Sequence, residues 1–324
     1  MTKQILLNVK DLRTSIFYEG HTAKVVDGVD FIVRDGETLG LTGESGSGKS
    51  TIALSLLRLI TPPGEIIGGE VWFKGHDLLK MDEEDLNKVR GEEISLITQE
   101  PIAALDPIMT SGLQSGEVLE EHRDLEKTQI KEKVIEYLGK VSLPDPNRDY
   151  SSYAHQLSKG LAQRVMIASA LLCAPSLLIA DEPTSALDVT IQRQILELLK
   201  DLKNVFNLSI MFITHDLGVI AEMSDRVAII YAGKIVECAD VLTIFQNPAH
   251  PYTRGLIGCV LRIDKRHKPE PIPGELPTQF YRPNWCAFYP RCKYASPECQ
   301  QQTPPSIEIE PGHFVRCFRL DHIR

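Results

Sequence analysis

Eight consecutive residues, Gly43-Glu44-Ser45-Gly46-Ser47-Gly48-Lys49-Ser50, fit the pattern G-x-x-x-x-G-K-[ST] in full. Glycines let such a loop wrap so that its backbone N–H groups turn inward, and a helix opening at the lysine adds partial positive charge. Both features suit phosphate oxygens. Lys49 is positioned to reach the β- and γ-phosphates of a nucleoside triphosphate such as ATP, and the Ser50 hydroxyl to bind Mg²⁺. Gly43, Ser45, Gly46, Gly48 and Thr51 complete the candidate binding set. A second group follows at Leu177-Leu178-Ile179-Ala180-Asp181-Glu182, an apolar run ending in two carboxylates, which is where an α/β sheet places its ligand groups. Asp181 suits the orientation of Mg²⁺ and Glu182 the polarisation of an attacking water. Alone, this run reads equally well as a strand end with a solvated acidic pair; beside the phosphate loop, hydrolysis is the better reading.

A third group lies near the C-terminus. Of seven cysteines, Cys173, Cys238 and Cys259 sit in apolar or helical contexts, while Cys286, Cys292, Cys299 and Cys317 are spaced C-x5-C-x6-C-x17-C. The close C-x2-C pairs of most structural zinc sites are missing. Four thiolates suit a [4Fe–4S] cluster, whose cube corners tolerate wide spacing. Zinc and unligated thiols are the alternatives. The bland role for any such centre is structural, offsetting the ordering entropy of a tail with little core of its own, and it is preferred to redox sensing.

The elements that must position these groups follow from periodicity. Short apolar strands are expected at Gly28 to Val33 and Thr38 to Leu41, the second running into the glycine-rich turn and a helix from Thr51 to Ile60. Gly69 to Gly75 reads as another strand. Between Pro101 and Ser158 the pattern turns helical, with Ile130, Val134, Tyr137, Leu138 and Val141 on one face. Alternation then resumes: helix Ala162 to Leu172, strand Leu177 to Ala180, helix Thr190 to Leu202, strand Ile210 to Thr214. Alternating units of this kind imply a parallel sheet covered on both faces. Strands Arg226 to Tyr231 and Lys234 to Glu237 and a helix near Asp240 to Phe245 complete the series. Beyond about Pro248 prolines accumulate, so the tail is neither mostly helix nor central strand.

Length and charge bound the rest. At 324 residues the chain suits a large α/β domain plus an appendage, and 43% hydrophobic with 24% charged residues is ordinary globular composition. A formal net charge of −9 argues against a general nucleic-acid binder. No apolar run approaches the roughly 18 residues that cross a bilayer, and the N-terminus lacks a secretory h-region, so the chain is expected to stay in the cytoplasm.

Gln156-Leu157-Ser158-Lys159-Gly160-Leu161-Ala162-Gln163-Arg164 resembles the signature motif of ATP-binding-cassette (ABC) proteins, usually written L-S-G-G-Q. Gln99-Glu100-Pro101 resembles their Q-loop, Ser185-Ala186-Leu187-Asp188 their D-loop, and His215 their switch histidine. The resemblance implies an α/β P-loop ABC ATPase domain over residues 1–246, with a RecA-like core, an antiparallel β subdomain and a helical subdomain at about 101–158. It also implies two such domains sandwiching two ATP molecules, each between one P-loop and the partner's signature loop. On that basis Gln99 serves the metal, the water and the transport partner. Ser158 and Gly160 serve the γ-phosphate across the dimer, His215 serves it in cis, and Phe17 or Tyr18 stacks on adenine. Lys159 stands where the family usually has glycine. Its backbone N–H still serves phosphate provided its φ is negative.

Asn247-Pro248-Ala249-His250-Pro251-Tyr252-Thr253, the Pro-Ile-Pro-Gly-Glu segment at 271–275 and the cysteine-rich end resemble dipeptide and oligopeptide importer ATPases. Residues 247–324 then form a C-terminal extension, and some importers with this ending resemble the cluster case. His250 and Tyr252 also read simply as packing a helix onto the core. The resemblance implies a second ATPase subunit in a hetero- or homodimer, two membrane-spanning permease subunits, an extracytoplasmic peptide-binding protein, and a peripheral position on the cytoplasmic face of the membrane. Competing readings are an importer ATPase for another solute such as nickel, a non-transport ABC ATPase, a small-molecule kinase, and a redox sensor with an ATPase attached. The signature loop and His215 disfavour the kinase.

Overall fold

The computed structural model describes residues 4–185, 187–259, 270–279 and 283–322. In chain order, β1 (Ile5–Tyr18), β2 (His21–Arg34) and β3 (Thr38–Thr42) lead into α1 (Lys49–Leu56). Next come β4 (Gly64–Phe73), β5 (His76–Asp77), α2 (Glu83–Val89) and β6 (Ile94–Ile97). Five helices follow: α3 (Pro101–Ala104), α4 (Ser111–His122), α5 (Lys127–Lys140), α6 (Pro146–Tyr150) and α7 (Lys159–Leu171). Alternation resumes with β7 (Leu177–Asp181), α8 (Val189–Phe206), β8 (Ser209–Ile213), α9 (Leu217–Met223) and β9 (Arg226–Tyr231). The chain continues through β10 (Lys234–Asp240), α10 (Val241–Gln246), α11 (Pro251–Gly258), β11 (Ile307–Glu310) and β12 (His313–Val315). These elements form two compact units. One is built mainly from Lys80–Ile213, and the other from Ile5–Val33, Thr38–Leu79 and Thr214–Arg324.

In the first unit β6, β7 and β8 pair in parallel, with Ile97 opposite Ala180 and Asp181 opposite Ile213. Every residue of β7 and β8 is buried, as expected of strands covered on both faces. The helical stretch predicted after Pro101 is present. α5 opens on a capping box of Glu126 and Gln129 and buries Ile130, Val134, Tyr137 and Leu138, the face read from the sequence. α8 buries Ile195, Leu196, Leu198, Leu199 and Leu202. It runs a turn beyond the expected end at Leu202 because Asn207, at φ 49°, supplies the left-handed stop.

In the second unit one sheet has the order β2-β1-β4-β5, with β1 and β4 antiparallel from Leu7 opposite Phe73 to Ile16 opposite Gly64. Elsewhere in this unit β3 runs parallel to β9, and β9, β10, β12 and β11 continue antiparallel. α1 ends at Leu56 rather than at the expected Ile60. Arg58 adopts φ 52°, and the N–H groups of Arg58 and Leu59 turn back to the carbonyls of Ser55 and Leu54.

The proline-rich tail draws order from the sheet. β12 pairs with β10, Glu237 opposite Val315. Pro251 occupies the first turn of α11, where its missing N–H is no loss. The Glu237 carboxylate, with 0% exposure, accepts hydrogen bonds from the N–H groups of Ala249 (2.7 Å) and His250 (2.9 Å), and His313 Nε2 lies 2.8 Å away. Burial alone would raise its pKa, but these partners hold it below the usual carboxylate value. The buried His250 ring, pushed down to about 4 by desolvation, stays neutral, and its Nδ1 accepts from the Tyr252 N–H to cap α11. Tyr231, Tyr252 and Phe288 pack together, with ring centroids 4.6, 5.2 and 5.5 Å apart.

Candidate nucleotide and thiol sites

The P-loop leaves the wholly buried β3 at Gly43 and enters α1 at Lys49. Two of its glycines are compelled by space. A Cβ at Gly43 would run into the Ile230 carbonyl, and one at Gly48, whose φ is 109°, would sit 2.6 Å from the Val25 oxygen. Gly46 turns with φ 77°. Lys49 is buried, with Nζ 2.9 Å from the Gly43 carbonyl and 3.1 Å from that of Glu44. Ser45, Gly46 and Ser50 are exposed and Thr51 is half-buried. The buried Ser47 hydroxyl has no hydrogen-bond partner among the described residues. A loop in which the glycines clear the path and a lysine caps the concavity has the donor set that a triphosphate needs.

His215 belongs to the same unit and is exposed between β8 and α9. Its neighbours are fixed. Thr214 Oγ1 accepts from the Asp216 N–H at 3.1 Å, and Asp216 caps α9 through the N–H groups of Gly218 and Val219. Phe17 and Tyr18, at the end of β1, are 42% and 57% exposed, so both rings are available to a base.

Gln99, Ser158, Gly160, Asp181 and Glu182 belong to the other unit. Gln99 and Glu182, predicted from separate motifs, are brought together: Gln99 Nε2 donates to Glu182 Oε2 at 3.1 Å. Asp181 ends β7 and is buried, whereas Glu182 adopts φ 47°. A left-handed backbone at a residue other than glycine costs about 1 kcal/mol or more and persists only where the surroundings impose it. Here the Glu182 N–H donates to the Ile213 carbonyl at 2.9 Å, and the Glu182 carbonyl accepts from the Ser185 N–H and hydroxyl.

Ser158 caps α7, its hydroxyl accepting from the Leu161 N–H at 3.3 Å. Lys159 is the first residue of that helix, exposed and outside the left-handed region, so the departure from glycine carries no backbone strain. At Gly160 a Cβ would come within 3.0 Å of Ile191 Cγ2, so a side chain there would press on α8. In the D-loop, Asp188 caps α8 through Thr190 and Ile191, while Ala186 lies outside the described residues.

Cys286, Cys292, Cys299 and Cys317 all line one small cavity of about 10 Å³. As they stand the thiols are packed inward, and among the described residues no group of three or more His, Cys, Asp or Glu side chains is arranged to hold a metal ion. The expected four-thiolate cage is therefore not formed in this structure, although its donors converge. Burial pushes the Cys286 and Cys317 thiols up to about 11 and about 12, and raises Cys292 as well. Such thiols stay neutral unless a metal displaces the proton.

Two features escaped the sequence reading. Glu237 organises the segment from Ala249 to Tyr252, yet a single glutamate in a strand carries no signal of its pairing. An exposed apolar patch follows Gln99, formed by Ile102, Ile108 (83% exposed), Leu113 and Tyr153. A bridge between Thr110 and Tyr153 brings Tyr153 beside the segment that carries Ile108 and Leu113.

Comparison with known proteins bears on both sites. Residues 26–185 match the ABC transporter family and residues 236–299 the oligopeptide/dipeptide transporter C-terminal region. A probable peptide ABC transporter ATP-binding protein of Sinorhizobium fredii is 45% identical over 98% of this chain and 96% of its own. The oligopeptide transport ATP-binding proteins AppD of Bacillus subtilis and OppD of Escherichia coli are 45% and 44% identical over 97% of this chain, and over 96% and 93% of their own lengths. The dimeric ATP-binding cassette MJ0796, solved with ADP and Pi, superposes with a TM-score of 0.65 at 26% identity over 72% of this chain and 98% of that one. The chain therefore belongs to the ABC transporter ATPases, and within them to the ATP-binding proteins that carry the oligopeptide/dipeptide transporter C-terminal region.

Proposed function

We propose that this chain is the ATP-hydrolysing subunit that powers peptide import through a membrane transporter. Lys49 and the P-loop backbone hold the β- and γ-phosphates, and Phe17 or Tyr18 stacks on the base. Ser50, Gln99 and Asp181 hold Mg²⁺, which neutralises phosphate charge when bound. Glu182 takes the proton of the attacking water, with Gln99 orienting it and His215 contacting the γ-phosphate. The observation that carries the hydrolytic reading is the Gln99–Glu182 contact at 3.1 Å, made by a glutamate held on a left-handed backbone.

The partner subunit's signature loop, equivalent to Ser158 and Gly160 here, completes each site in a hetero- or homodimer. Two permease subunits dock on the apolar patch around Ile108 and Leu113, which holds the chain on the cytoplasmic face of the membrane. A separate extracytoplasmic protein delivers the peptide. Among the described residues no helix is long and apolar enough to cross a membrane. Cargo identity rests on the C-terminal match at residues 236–299. Reconstitution with the permeases and binding protein tests it: peptide, and not nickel, should stimulate ATP hydrolysis. Stimulation by nickel alone would reassign the cargo.

Cys286, Cys292, Cys299 and Cys317 hold a [4Fe–4S] cluster that orders the extension. The convergence of four thiols, two of them buried and two half-buried, on one apolar cavity supports this reading. Anaerobically purified chain should be brown and contain iron and acid-labile sulfide in equal amounts. Stoichiometric zinc in a colourless protein would replace the cluster with zinc.

A further inference from the structure

The C-terminal extension reaches the P-loop itself. All three hydrogen-bonding groups of Glu44 are engaged. Its carbonyl receives Lys49 Nζ at 3.1 Å and the Ser47 N–H at 3.2 Å, both within the loop. The other two groups go to residues far along the chain: the Glu44 N–H donates to the Tyr252 hydroxyl at 2.9 Å, and the Glu44 carboxylate accepts from Arg291 at 2.9 Å. Arg291 is buried to 8% exposure, an unusual position for an arginine in a proline-rich tail. Its Nε donates to the Pro273 carbonyl at 2.8 Å, and NH1 also reaches the Tyr231 hydroxyl at 3.3 Å. Gln279 adds a bond to the Gly46 carbonyl at 3.3 Å. Tyr252 is held in turn by Tyr231 and Phe288. Its burial, with the Glu44 charge nearby, raises its pKa, so the hydroxyl keeps its proton.

We propose that Arg291 and Tyr252 are positioning residues for ATP binding: together they pin Glu44 and so hold the turn from Glu44 to Ser47 in the path that presents its N–H groups to phosphate. This rests on the reading of residues 43–50 as the nucleotide site. A loop already fixed in its binding path loses less freedom when the ligand arrives, so the contribution falls on affinity. The tyrosine of the Asn247–Thr253 segment thereby gains a role beyond packing, and the Pro271–Glu275 segment provides the carbonyl on which Arg291 is braced.

Equilibrium binding of ATP to the full chain, together with the ATP dependence of hydrolysis, tests the proposal. Tyr252→Phe, which removes one hydroxyl, should weaken ATP binding about threefold, and Arg291→Ala about tenfold, the size of one and of one charge-assisted hydrogen bond. Both should raise KM and leave kcat at saturating ATP within about twofold. In a Glu44→Ala background the Arg291→Ala effect should vanish, since the two side chains act as one unit. Wild-type affinity in both variants, or an Arg291→Ala effect undiminished without the Glu44 carboxylate, overturns the proposal. If Arg291→Ala does not fold, Tyr252→Phe decides alone, and unchanged affinity rejects the idea. Lys49→Ala is the separate control. Unaltered ATP binding in that variant would reject the P-loop reading itself.

Discussion

Glu182 directly follows Asp181 at the buried end of β7 and leaves the strand on a left-handed backbone, φ 47°, with its side chain in contact with Gln99. Glu182→Gln keeps the shape and the contact to Gln99 but removes the proposed base, so hydrolysis should fall about 100-fold or more while ATP binding stays within about twofold. Single-turnover hydrolysis and equilibrium binding separate the two, and a loss of binding equal to the loss of rate would mean that Glu182 is structural. Lys159 makes the opposite case. As the first residue of α7 it offers its N–H from an ordinary helical backbone. Lys159→Gly in the assembled dimer should change ATPase rate by less than about twofold, whereas a large gain would show that the lysine side chain obstructs the partner's site. The residues of these motifs were legible in the sequence because each motif is a short run of residue types, a glycine-rich loop or a carboxylate pair at a strand end. The contacts that compel Gly43 and Gly48 were not, since they come from the distant Ile230 and Val25, and neither was the cap at Ser158.

Elements were legible wherever a period decided them, as in the apolar face of α5 and the buried run of β7. Their ends were not, because stops such as Arg58 and Asn207 depend on left-handed turns that residues other than glycine also adopt. The extension was the least legible part, since its order comes from β12 on β10 and from one buried carboxylate. Glu237 stabilises the fold only while ionised. Its folded pKa lies below the ordinary 4.5, so its contribution is complete above that value and fades as pH falls through the lower folded value. Acid melts of wild type should therefore show stability falling steeply below about pH 4.5. Glu237→Gln should lose on the order of 3 kcal/mol already at neutral pH, because it leaves donors unmatched, and its acid limb should be shallower. Parallel acid limbs would assign the fall to other carboxylates.

At the scale of the whole molecule, the exposed side chains of Ile102, Ile108, Leu113 and Tyr153 are the face on which the permeases are proposed to dock. Ile108→Asp, at a side chain 83% exposed, should leave the melting temperature and basal ATP hydrolysis unchanged while reducing co-purification with the permeases by about tenfold. Intact assembly would place the docking face elsewhere. Long-range organisation also has a bearing on synthesis. The unit that contains Lys80–Ile213 draws nearly all of its residues from that one stretch and can close soon after it leaves the ribosome. The P-loop unit cannot: β3 waits for β9, and Glu44 waits for Arg291, 247 residues later. Loop closure over such a span is slow, although the sheet of β2, β1, β4 and β5 draws only on residues 5–77 and need not wait for it. Nascent chains should thus spend about the last third of translation, after residue 213 of 324, with one unit folded and the ATP-binding loop unanchored, so that nucleotide binding reaches full affinity only after the tail has emerged.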